Sequence, residues 1–103
     1  MTTLTDIKRM WQVHRRARFP AEARGRDIDG VDLARLDSLA AGCISSFLDD
    51  LGELDPKKAR LLEDIAGQLQ RVVPEMEASM RSYYENLAAL IAAVLACLSE
   101  SRH

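Results

Sequence analysis

The chain has 103 residues, 48% hydrophobic and 29% charged, which suits a single globular domain and excludes a disordered polymer. Its formal net charge of −2 hides a division: residues 1–26 carry seven basic side chains against Asp6 and Glu22, and the remainder carries seven bases against fourteen acids. Two cysteines exclude a disulfide framework, no N-terminal stretch reads as a signal peptide, and the longest purely apolar run, 87–98, is shorter than the roughly 20 residues of a membrane helix. The expectation is a cytoplasmic protein without membrane contact.

Helical spacing runs through most of the chain. The first predicted helix covers 4–18, capped by Thr3 or Thr5, with Leu4, Ile7, Met10, Trp11 and His14 on one face. Phe19-Pro20 stops it, because a residue before proline is driven out of the helical region. Residues 19–29 show no period and read as an irregular loop pinned by Phe19 and Ile28.

A second helix is predicted over 30–51, with Asp29 and Asp32 in an acidic capping arrangement and Gly52 as its stop. At about 100° per residue, Leu33, Leu36, Ala40, Cys43, Ile44, Phe47, Leu48 and Leu51 form one stripe. Asp37 falls inside that stripe. A carboxylate there needs a partner, and an arginine of the first helix or of the loop is the expected one.

Asp55 and Pro56 supply the cap and first residue of a third helix, 56–72, whose face carries Leu61, Leu62, Ile65, Ala66, Leu69, Val72 and Val73. Pro74 admits two readings. In the preferred one it opens a fourth helix, 75–99, folded back on the third. In the alternative, the third and fourth helices are one long rod kinked at Pro74, because Met76, Met80, Tyr83, Leu87, Ile91, Val94 and Leu98 continue the apolar stripe in phase. Such a rod would be about 64 Å long at 1.5 Å per residue, and only a dimer could cover it. No alternating stretch long enough for a strand is present. The fold class is therefore all-α, a compact bundle of four helices.

Two surfaces emerge. In 87–98 the side opposite the core stripe is Ala88, Ala89, Ala92, Ala93 and Ala96, uncharged for three turns. A helix apolar all round calls for cover on both sides, so self-association through these alanines, as a homodimer, or docking of another protein is expected. The other surface is basic. Lys8, Arg9, Arg15, Arg16 and Arg18 could contact phosphates, which makes a nucleic-acid-associated protein using segment 8–26 the alternative function.

Catalytic and metal chemistry find no foothold. No His-x-x-x-His, Glu-x-x-His or Cys-x-x-Cys spacing occurs, and the acidic run at 27–30 places its glycine wrongly for a calcium loop. Cys43 and Cys97 read as buried free thiols, His14 as a residue at the edge of the core, and the terminal His103 as lying outside the fold. The expected function is a non-catalytic interaction module, a small regulator or adaptor, with no cofactor and no metal.

Overall fold

Thr3 starts the first helix by a reciprocal cap. Its hydroxyl accepts from the Asp6 N–H at 3.1 Å, and the Asp6 carboxylate accepts from the Thr3 N–H at 3.0 Å. The computed structural model describes residues 2–100, so His103 lies outside the described residues. Helix α1 runs Leu4–Arg16, two residues shorter than the period suggested, because Ala17 already turns extended.

The loop that follows is more ordered than expected. A single 3-10 turn, Ala21–Ala23, leads into two short antiparallel strands, β1 (Asp27–Ile28) and β2 (Val31–Asp32), with Asp27 opposite Asp32 and Ile28 opposite Val31. This hairpin corrects the expectation of an irregular 19–29 without a strand, while the fold class stays all-α. Asp29 (φ 50°) and Gly30 (φ 79°) both sit in the left-handed region, as a two-residue hairpin turn requires. The hairpin also delays helix α2, which spans Leu33–Asp49 in place of 30–51, with Asp32 as its cap.

The end of α2 is a Schellman motif. The Leu51 N–H reaches the Leu48 carbonyl at 3.2 Å and the Gly52 N–H reaches the Phe47 carbonyl at 2.8 Å, with Leu51 itself left-handed at φ 55°. Leu51 consequently leaves the apolar stripe and is 77% exposed, contrary to its predicted core position.

Asp55 caps α3 (Pro56–Val72) by accepting from the Lys57 N–H at 2.7 Å. Pro74 then marks a break, as the preferred reading held, and the continuous kinked rod is excluded. Val73–Glu75 form one 3-10 turn, Met76 is extended, and α4 occupies Ala78–Glu100, beginning three residues later than predicted. The Glu77 carbonyl accepts from the Met80 and Arg81 N–H groups in the first turn of the new helix.

Helix α4 is the hub and packs against α1, α2 and α3. Its stripe of Met80, Tyr84, Leu87, Leu90, Ile91, Val94 and Leu98 is buried among Ile7, Leu36, Ile44, Phe47, Leu62, Ile65 and Leu69. The four helices form an all-α bundle with a Cα radius of gyration of 13.3 Å, close to the roughly 13 Å of a folded chain of this length.

Candidate functional site

Three helices each contribute one polar side chain to a single point near the loop end of the bundle. On α1, His14 follows Ile7 and Trp11 along the inward face and is only 8% exposed. On α2, Asp37 sits one turn beyond Leu33, and on α4, Tyr83 sits one turn before Leu87. His14 Nε2 lies 3.0 Å from Asp37 Oδ1, and the Tyr83 hydroxyl donates to Asp37 Oδ2 at 2.9 Å. Because a carboxylate accepts, Nε2 carries the hydrogen of the first contact. The Tyr83 oxygen is also 3.3 Å from Nε2, which closes the triangle.

Asp37 is therefore partnered from the first helix, as expected, but by His14 and not by an arginine. An imidazole offers one N–H toward the carboxylate and two flat faces to its neighbours, whereas a buried guanidinium would bring five N–H groups needing acceptors. The rings fit such a slot: Trp11 stacks on His14 at 6.1 Å between centroids, and Tyr83 lies at 4.8 Å on a tilt. Among the described residues, buried His14 Nδ1 has no hydrogen-bond partner. Burial, and next the hydrogen bond to Asp37, push the Tyr83 phenol well above its ordinary value. Such a phenol keeps its proton at neutral pH and serves in this cluster as a hydrogen-bond donor to Asp37.

The arginines of segment 8–26 stay outside. Lys8, Arg9, Arg15, Arg16 and Arg18 are all exposed, and Arg9 makes only a 3.9 Å ion pair with Asp6. Arg26 turns instead to Glu77, at 2.8 Å, fastening the loop to the entry of α4.

Beside the cluster lies an open cleft of about 670 Å³ between the loop and the first turns of α4. Tyr83 belongs to both, since it lines the cleft while its hydroxyl points to Asp37. Phe19 meets the Tyr83 ring edge-on, with centroids 5.6 Å apart.

Further along α4 the alanine face divides. Ala89, Ala92 and Ala96 are exposed, and Ala88 and Ala93 are half-buried against the core edge. By length and composition this helix could cross a membrane, yet its core stripe is occupied by the other three helices. Cys43 is buried and Cys97 half-buried, both as free thiols, and burial pushes the Cys43 thiol up. Among the described residues no group of three or more His, Cys, Asp or Glu could hold a metal ion.

Sequence reasoning missed Tyr84. Its ring is fully buried and its hydroxyl donates to the Leu33 carbonyl at 2.9 Å. The adjacent tyrosines diverge, one toward Asp37 and one toward the α2 backbone, with rings 5.2 Å apart. No protein-family model, curated protein or solved structure matches this chain.

Proposed function

We propose that this chain is a non-catalytic interaction module that pairs with a second copy of itself through the outer face of α4. The observation that carries this reading is the exposed row Ala89, Ala92 and Ala96, with no charged side chain on α4 between Glu85 and Glu100. Side chains this small at helical spacing let a second helix approach to about 8 Å between axes, where backbone and methyl groups pack closely. Half-buried Ala88 and Leu95 on one edge, and Ala93 and Cys97 on the other, give the row an apolar rim. The row is only about two turns long, so the neighbouring surfaces of α1 and α3 supply the rest of the roughly 800 Å² per partner that a stable dimer needs.

The experiment is size-exclusion chromatography with light scattering at low and high salt, on the native chain and on Ala92→Arg. The expected result is twice the 11.5 kDa chain mass at both salt concentrations, falling to one chain mass in the variant with its helical circular dichroism intact. A native monomer, or an unaffected variant, overturns the reading.

A second reading, contact with nucleic-acid phosphates, draws support from the exposure of Lys8, Arg9, Arg15, Arg16 and Arg18. Co-purifying absorbance at 260 nm that is lost at high salt would favour it.

A further inference from the structure

The cleft beside Tyr83 has two unlike walls. The loop wall carries Arg18 and Arg24, and among the described residues neither has an ion-pair partner, whereas Arg9 and Arg26 are engaged by Asp6 and Glu77. The α4 wall carries Ser82 and Asn86, a hydroxyl and an amide, both exposed. Between them are Phe19 and Tyr83, set edge to face. Only one acid, Glu22, lines the space, so the charge balance of the lining is positive.

Each part of this arrangement selects for a ligand property. Two guanidinium groups that no carboxylate engages, outnumbering the single acid Glu22 in the lining, favour an anion with two or more oxygens, which their planar N–H forks grip in pairs. Hydroxyl and amide groups opposite can donate to the oxygens that the arginines leave. The aromatic pair offers apolar surface to a planar group, and Tyr83 is held still because Asp37 and His14 occupy its hydroxyl. A volume of about 670 Å³ lies within the range of roughly 300–1,000 Å³ typical of small-molecule sites.

We propose that this cleft binds a small anionic ligand, a carboxylate or phosphate attached to a planar apolar group. The anion sits between Arg18, Arg24 and the Ser82–Asn86 side of α4, and the planar group rests on Phe19 and Tyr83. The site is separate from the alanine row, so it stands or falls independently of self-association.

Two-dimensional amide NMR titrations at constant ionic strength test the proposal, with phenyl phosphate, benzoate, inorganic phosphate and benzyl alcohol as probes. Saturable shifts are expected at Phe19, Ser82, Tyr83 and Asn86 with phenyl phosphate or benzoate, and the tighter of the two identifies the anion. Inorganic phosphate and benzyl alcohol, each with half of the chemistry, should bind at least about tenfold more weakly. Arg18→Gln and Arg24→Gln should each weaken the better probe by about tenfold, while their spectra otherwise overlay the native one. Shifts that fail to saturate, that spread over Lys8, Arg9, Arg15 and Arg16, or that ignore both substitutions would overturn it.

Discussion

Tyr84 donates its hydroxyl hydrogen to the main-chain oxygen of Leu33 at 2.9 Å, joining the second turn of α4 to the first residue of α2 in a buried position. A phenolate cannot make this bond, and neither can it donate from Tyr83 to Asp37.

Alkaline pH should therefore unfold the protein through its tyrosines. Burial is the main cause raising both phenols above the ordinary value of 10.0, with Asp37 adding to it in each case. The folded chain holds these protons more tightly than the unfolded chain does. The resulting stabilisation is complete below about pH 10 and declines as pH rises toward the folded-state values. Tyr83 and Tyr84 are the only tyrosines, so phenolate absorbance reports on them alone. That absorbance should appear together with the loss of helical circular dichroism. Ordinary titration near pH 10 with the helices intact would contradict the prediction.

Replacing Asp37 by alanine should cost about 2–3 kcal/mol, since it strands the His14 ring and the Tyr83 hydroxyl without their acceptor. Tyr83→Phe removes one donor and leaves His14 paired, so about 1 kcal/mol is expected. Each kcal/mol corresponds to a fall of roughly 4–8 °C in Tm for a domain of this size. Thermal melts of the two variants measure this, and an unchanged Tm for Asp37→Ala would mean that the carboxylate is satisfied by water.

Leu51→Gly should stabilise the fold. The left-handed backbone at φ 55° costs a residue with a side chain about 1–2 kcal/mol, and the 77% exposed Leu51 side chain recovers little by burial. The Schellman position it occupies is the one that glycine favours. After the entropy that glycine adds to the unfolded chain, a net gain of about 0.5–1 kcal/mol is expected, read as a higher Tm or denaturant midpoint. A loss of stability would show that Leu51 packs against something in solution.

Features that depend on neighbours in sequence were legible. Asp55-Pro56 marks the start of α3, Thr3 is a capping residue ahead of the α1 apolar face, and Pro74 points to the chain reversal because a continuous rod has no cover in one compact chain. The hairpin had a local signal too, Asp29-Gly30 between Ile28 and Val31. Strands of two residues are too short to show alternation, so periodicity passed over them. The partner of Asp37 was a different matter. His14 and Tyr83 are 23 and 46 positions away, and many arginines made the charge argument look sufficient when shape decided the outcome. Of the candidate site, the alanines could be named from spacing alone. The division into exposed Ala89, Ala92 and Ala96 and half-buried Ala88 and Ala93 depends on how α4 is rotated against its neighbours.

Apolar stripes hold helices together without dictating how far one slides along another, because leucine against leucine is nearly as good a turn away. The Asp37 carboxylate is less forgiving. It takes one hydrogen from α1 at 3.0 Å and one from α4 at 2.9 Å, and a slip of one residue, about 1.5 Å along an axis, breaks either bond. One acidic side chain in an otherwise greasy face thus works as a key for three helices, rejecting the neighbouring registers that their hydrophobic surfaces would accept.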